Sequence, residues 1–321
     1  MQVPLTELEA FEHRPIGAPE PPLATGPIVV AVDGGTASDS AVRVASSLSA
    51  RTNAGVQVVS VLEPIPPSVE IASLVPVGPD YWTSLRDAHV EAVRTQLARL
   101  CTPAVDWPLD VLEGVVPDGL ARYARSHHAR LLLAGRGRHG MARRIFSGEA
   151  LLGVLQLGET PVLAVEPTLT ALPRRLVMAV DFSPGSVYAA RVGLSLAAPD
   201  ATVYLVHVRP IVRISDPRAH ERQDTAYSHA LPAAFARLRE RLAPNDANTV
   251  EMAVVSGHPG PALAEFSESV QADLVVAGTH GYGFIDRFLL GSVCTSLLRH
   301  APCSVLGVPN SAALRGAAVR P

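Results

Sequence analysis

The sequence contains no lysine, so every one of the 27 residues counted as Lys+Arg is arginine. A phosphate loop of the GxxxxGK[ST] type and a Schiff-base lysine both need an ammonium group, and both are therefore excluded. Cysteine is scarce. Cys101, Cys294 and Cys303 form no CxxC pair and leave an odd thiol, which fits a reducing compartment better than a disulfide framework. They read as small buried hydrophobes. The formal net charge is only −3, too weak a field to favour nucleic acid or an anionic membrane. No run approaches the ~18 apolar residues of a membrane span. The opening MQVPLTELEAFEHRPIGAPEPP carries glutamates and prolines where a secretion signal needs a basic start and an apolar stretch. Also missing are HExxH, a GxSxG elbow, a calcium loop and clustered Cys/His spacing, so no catalytic or metal-ligating set is assigned. The expectation is a cytoplasmic protein with no nucleic-acid or membrane partner.

What is present is a globular composition, 48% hydrophobic and 18% charged, over 321 residues, more than one core usually organises. An internal repeat supports two domains. A shift of 143 residues pairs Gly114 with Gly257, Leu120 with Leu263, Gly135 with Gly278, Arg144 with Arg287, Gly148 with Gly291, Leu155 with Leu298 and Val165 with Val308. Nearer the domain starts the offset is 148, matching Asp33 to Asp181 and Ser38 to Ser186. The expected organisation is a flexible tail over 1–26, a domain over 27–166, a linker over 167–173 interrupted by Pro167 and Pro173, a domain over 174–309 and a tail over 310–321.

Each half alternates short apolar runs with helical periodicity, an α/β pattern that predicts a five-stranded, mostly parallel sheet flanked by helices. In the first half the strands are expected at Ile28–Val32, Val56–Leu62, Leu109–Leu112, Leu131–Ala134 and Val162–Val165. Ala41, Val44, Ala45 and Leu48 define a helix face with Ser38 as its N-cap, repeated by Ala189, Val192, Gly193 and Leu196. Longer helices are expected over Tyr81–Leu100 and Ala219–Leu242, and His127 with His128 at a helix end, where imidazole suits the dipole. Pro64–Pro79 reads as a solvated loop, with a lid as the alternative.

After the run Leu274–Ala277 comes Gly278-Thr-His-Gly281, then nine residues, then Gly291-Ser292 opening a helix. Glycines let backbone N–H groups approach an anion, and a helix N-terminus adds unpaired donors and a favourable dipole. Ser292 adds a hydroxyl, so the cradle suits a ligand with several phosphates. A turn without a ligand is the competing reading. The pattern G-x2-G-x9-G-[ST] after a fourth strand resembles the universal stress protein family in its ATP-binding form. That likeness runs over nearly all of residues 27–309, including Met178-Ala-Val-Asp181-Phe-Ser183 and Leu205-Val-His-Val208. It implies two tandem Rossmann-like domains of the adenine nucleotide alpha-hydrolase-like type and ATP, with Mg, as ligand. By the same resemblance Asp181 and the backbone at Val208 meet adenine and ribose, while Gly278, Gly281, Gly291 and Ser292 hold ribose and phosphates. His280 is placed to orient a phosphate or a water, or to donate a structural hydrogen bond.

The first half departs from the pattern, because Arg138 replaces the second glycine and Glu149 the hydroxyl residue. A carboxylate where a phosphate would sit repels it, and Glu149 is expected to take the helix N-terminal anion site itself. Arg136, Arg138, Arg143 and Arg144 form a basic cluster that either attracts an anion or is a solvated face. The GxGxxG spelled by Gly135 to Gly140 is explained by the repeat rather than by a dinucleotide site. Three functions stay open: an ATP-binding regulatory module for stress responses acting on an unidentified protein partner, a slow ATP hydrolase or nucleotidyl-transfer enzyme, and a scaffold without nucleotide. The resemblance favours the first, and with it pairing of the two halves through their fifth strands and a homodimer.

Overall fold

A computed structural model describes residues 8, 10–11, 25–63, 79–100, 106–136, 148–209, 217–244, 246–279 and 291–309. The chain divides into two compact units, Ala24–Leu172 and Pro173–Pro321, and the N-terminal segment Met1–Leu23 belongs to the second.

The first unit runs β1 (Ile28–Ala31), α1 (Asp39–Thr52), β2 (Val56–Leu62), α2 (Pro79–Leu100), β3 (Leu109–Glu113), α3 (Val116–Ser126), β4 (Leu131–Gly135), α4 (Gly148–Leu157) and β5 (Val162–Val165). The second repeats it as β6 (Arg175–Ala179), α5 (Pro184–Leu196), β7 (Thr202–Arg209), α6 (Pro217–Leu242), β8 (Thr249–Ser256), α7 (Pro259–Ser269), β9 (Leu274–Gly278), α8 (Ser292–His300) and β10 (Ser304–Val308). The strand order is β3-β2-β1-β4-β5 in the first unit and β8-β7-β6-β9-β10 in the second, with parallel pairing inside each.

The apolar runs become strands because parallel strands covered on both faces need no polar alternation. All residues of β1, β4 and β5 are buried, whereas β3 and β8, at one end of each order, hold only half-buried and exposed positions. Right-handed crossovers leave β1 in one direction through α1 and α2 and return on its other side through α3 and α4. Accordingly α1 contacts α2 and α3 contacts α4, as two separate helix layers. Pro184 and Pro259 sit in the first turns of α5 and α7, where a missing N–H costs nothing.

Close backbone approaches set the glycines. A Cβ at Gly135 would lie 2.0 Å from the Ala37 carbonyl oxygen, so the first glycine of the altered motif is required by packing alone. The contact between the last two helices of each unit also depends on a small residue, on opposite partners. In the first unit Gly153 of α4 faces Pro117 of α3, its missing Cβ 2.9 Å from the proline ring; in the second Gly260 of α7 faces Ser296 of α8, at 2.3 Å from the hydroxyl. Pro117 and Gly260 are equivalent in the repeat, as are Gly153 and Ser296.

Two expectations are corrected. Leu8 and Phe11, read as part of a flexible tail, are buried in the second unit; they share one helical face, and the Phe11 ring packs on Phe182. Ser38 stands at the N-cap position of α1 but makes no cap hydrogen bond. Its hydroxyl instead donates to Asp33 Oδ1 at 2.8 Å, the stronger charged acceptor. Cys294 and Cys303 are buried, and burial pushes the Cys294 thiol up to about 12, which makes it inert. Cys101, the loop 64–78 and the tail 310–321 lie outside the described residues.

Candidate functional site

In the second unit the chain leaves β6 toward β7 and β8 and returns on the other side as β9 and β10, so the order reverses between β6 and β9. Such a switch point opens a crevice at the carboxyl ends of the strands. The register Met178↔Val276 carries Asp181, just past β6, and Gly278, the last residue of β9, to the two sides of that crevice. Val208 lies near the carboxyl end of the neighbouring β7, paired with Val255.

Backbone bonds close the loop after β9 at its base. The Thr279 N–H donates to the Val308 carbonyl at 2.9 Å, and the Gly291 N–H donates to the Thr279 carbonyl at 2.6 Å. Gly291 is thereby fixed as the N-cap of α8 with no side-chain cap bond, and Ser292 is the exposed first residue of the helix. The N–H groups of that first turn, which have no intrahelical partner, form with the Ser292 hydroxyl a donor set for an anion. Thus Asp181, Gly278, Gly291 and Ser292 gather at one end of β6 and β9, with Val208 one strand away. His280, Gly281 and Arg287 lie outside the described residues.

The Asp181 carboxylate also has a local task. Its Oδ1 accepts from the Ser183 N–H at 3.0 Å and the Ser183 hydroxyl at 2.6 Å, and Ser183 Oγ in turn caps α5 by accepting from the Ser186 N–H at 3.1 Å. Asp33 does the same in the first unit with Gly35 and Ser38. This acceptor role explains an aspartate after both first strands before any ligand is considered.

The first unit is built differently at the matching loop. Arg136 corresponds to Thr279 and makes the same ladder bond, its N–H donating to the Val165 carbonyl at 2.8 Å. Its side chain is buried and its guanidinium meets Glu166 Oε1 at 2.9 Å. Arg136 is therefore not part of a solvated basic cluster open to an anion, because its charge is matched inside the fold; Arg138, Arg143 and Arg144 lie outside the described residues. Glu149 is exposed in the first turn of α4, where its charge suits the helix dipole.

Sequence reading missed an aromatic cluster beside Asp181. His207 Nδ1–H donates to the Val180 carbonyl at 2.8 Å, so its Nε2 accepts from the Tyr227 hydroxyl, 2.7 Å away. In the first unit the hydroxyl and imidazole exchange places: Ser60 donates to the Val32 carbonyl at 2.6 Å and accepts from His89 Nε2, at 2.7 Å. The only sequence signal was Tyr227, Leu231, Phe235 and Leu238 on one face of a helix.

Burial holds the His207 imidazole below its usual value, opposed by the Val180 carbonyl and Asp181 and aided by Arg209. Burial pushes the Tyr227 hydroxyl up to about 12, so it remains a donor. The unfolded chain takes up a proton as pH falls below about 6.5, at a higher pH than folded His207 does, so the unfolded state binds more protons and stability rises with pH through this window. His89 is depressed by burial as well and adds in the same sense. Urea denaturation of the wild type is expected to show full stability above about pH 6.5 and a decline below it. The decline should be shallower in His207→Gln, and equal slopes in the two proteins would remove His207 as a source.

Among the described residues no group of three or more His, Cys, Asp or Glu could hold a metal, and no helix is long and apolar enough to cross a membrane. The universal stress protein family model matches residues 25–166 and again 173–309. A universal stress protein of Methanocaldococcus jannaschii is 28% identical over 141 residues, 43% of this chain and 82% of that protein. Among solved structures, a universal stress protein from Archaeoglobus fulgidus superposes with a TM-score of 0.59 at 17% identity, covering 89% of this chain and 96% of that one. A Pseudomonas aeruginosa protein of unknown function does so at 0.58 and 12% identity, covering 91% and 95%. These two likenesses bear on the fold alone, and they agree with the architecture described above. Matched twice over most of its length, the chain belongs to the universal stress protein family and carries two consecutive copies of its domain.

Proposed function

We propose that the second domain binds one ATP per chain in the crevice between β6 and β9, and that the protein is a nucleotide-responsive regulatory module without turnover. The observation that carries this reading is the helix opening at Gly291 and Ser292, uncapped by a side chain and tied by the 2.6 Å bond to Thr279, directly after Gly278 and across the switch point from Asp181. In this reading the N–H groups of the first turn of α8 and the Ser292 hydroxyl hold phosphate oxygens, with Gly278, His280 and Gly281 completing the loop. Asp181 and the backbone of Val208 meet ribose and adenine. Mg fits as an ion carried by the phosphates and water, which needs no protein carboxylate cage. The first domain does not bind in this manner, since Arg136 is consumed by Glu166 and a carboxylate, Glu149, stands in the first turn of α4.

Denaturing the purified protein and identifying the released nucleotide, together with calorimetric titration of nucleotide-free protein, tests this directly. One adenine nucleotide per chain, without ADP appearing over hours, is the expected result. Two per chain would overturn the asymmetry, none would remove the site, and steady ADP release abolished by Gly281→Arg would favour the enzyme. The homodimer belongs to the same proposal; a single-chain mass in light scattering, with and without ATP, would remove it.

A further inference from the structure

Leu8, Ala10 and Phe11 are helical, and Leu8 and Phe11 stand three positions apart, on one face of a turn. Both are essentially fully buried in the second unit, at 1% and 0% exposure. The Phe11 ring packs on Phe182 with centroids 5.5 Å apart and the planes tilted by 56°. The Arg241 guanidinium, in the last turn of α6, lies 4.2 Å from the Phe11 ring centroid, and its Nη2 donates to the Phe11 carbonyl at 3.3 Å. Phe235 and His207 pack on Phe182 too, at 5.3 and 5.2 Å. In sequence the segment is acidic, with Glu7, Glu9 and Glu12 around the apolar pair, and the end of α6 is basic, with Arg239 and Arg241.

Phe182 is the link between Asp181 and Ser183, the two residues whose hydrogen bonds shape the turn into α5. Its φ is 60°, a left-handed conformation that bulky residues avoid. At the equivalent position of the first unit Gly34 has a φ of 75°. Glycine adopts that geometry freely, whereas phenylalanine keeps it only where packing over-determines it. We infer that the segment around Leu8 and Phe11 is a positioning element for the nucleotide site: Phe11 clamps Phe182 in its left-handed turn and so holds Asp181 and Ser183 in place. This rests on the reading of Asp181 as part of the ATP site. Because coupling is reciprocal, ATP also tightens the docking of the segment.

The test compares full-length wild type, Phe11→Ala and Phe11→Leu by amide hydrogen exchange and by ATP titration. Phe11→Ala is expected to speed exchange at the Ser183 and Ser186 amides about tenfold while β6, β7 and β9 keep their protection. Its Kd for ATP should rise about tenfold, and Phe11→Leu, which keeps an apolar clamp, should stay near wild type. Unchanged exchange at Ser183 and Ser186, or an equal rise across the whole domain, would overturn the clamp. Local loosening with unaltered ATP affinity would overturn its link to the site. If the wild type itself binds no ATP, the Proposed function fails and takes that link with it, while the exchange comparison still upholds or overturns the clamp.

Discussion

Glu166→Ala is expected to cost the first domain about 3–5 kcal/mol, the range for a buried ion pair broken from one side. The guanidinium of Arg136 cannot discharge itself by losing a proton, and its side chain is only 7% exposed, so water cannot replace the carboxylate that leaves. Arg136 and Glu166 each have interactions besides this pair. Both tryptophans, Trp82 and Trp107, lie in this domain, so their fluorescence reports its unfolding specifically. A fall in melting temperature of roughly 10 °C or more is anticipated, against a few degrees for an ordinary surface change. The double substitution Arg136→Met with Glu166→Leu should be more stable than either single one, because an apolar pair leaves no orphan charge. A Glu166→Ala protein melting within about 2 °C of wild type would mean that the pair is not closed to water.

Ser292→Glu is expected to raise the Kd for ATP at least about 100-fold, while leaving the second domain as stable or slightly more so. The two effects have opposite signs because one charge meets two partners. At the start of α8, whose first turn holds no acidic residue, a carboxylate gains about 0.3–1 kcal/mol from the helix dipole. Toward a triphosphate the same carboxylate is a like charge in the same seat. Ser292 is exposed, so the longer side chain disturbs no packing. The substitution reproduces the arrangement of the first domain, where Glu149 holds the equivalent position. Circular dichroism melting beside ATP titration separates the two effects. Loss of affinity together with loss of stability would trace the defect to folding, and wild-type affinity would place the phosphates elsewhere. Glu149→Ser alone should not create a site, since Arg136 and Glu166 still fill the base of that loop.

The strand pattern was legible in the middle of each order, where strands are buried on both faces and their residues need only be apolar. Val56–Leu62 and Val162–Val165 agree with expectation at both ends. Helices were legible from their faces, and the repeat confined the loop of interest to one place in each half. Side-chain partnerships across the fold were not legible. Nothing local announces that Arg136 is buried, because its fate depends on Glu166, 30 residues on. Ser38 was misread for the same reason: an N-cap assignment looks at the helix ahead, while its hydroxyl is drawn back to Asp33. Phe11 escaped because two apolar residues in an acidic, proline-rich stretch make no periodic face, and their pocket is formed by residues far later in the chain. The site itself was half legible. Spacing brought Gly278, Gly291 and Ser292 forward, but the Ser183 bonds to the Asp181 carboxylate and the nearby His207 to Tyr227 bond emerge only when strands and helices assemble.

The small-residue contacts between α3 and α4 and between α7 and α8 limit how the two copies can be recombined. The slot is filled by glycine on the second helix in the first copy and by glycine on the first helix in the second. A chimera joining α3 to α8 would drive the Pro117 ring into Ser296, and one joining α7 to α4 would set Gly260 against Gly153 and leave a void. Each copy has therefore accumulated a substitution tolerable only beside its own partner. The two duplicates thus do not share interchangeable helices at this contact. The loop after β4 or β9 lies between the members of each pair. Grafting the loop of the second copy into the first therefore requires moving α7, β9, the loop and α8 as a single cassette.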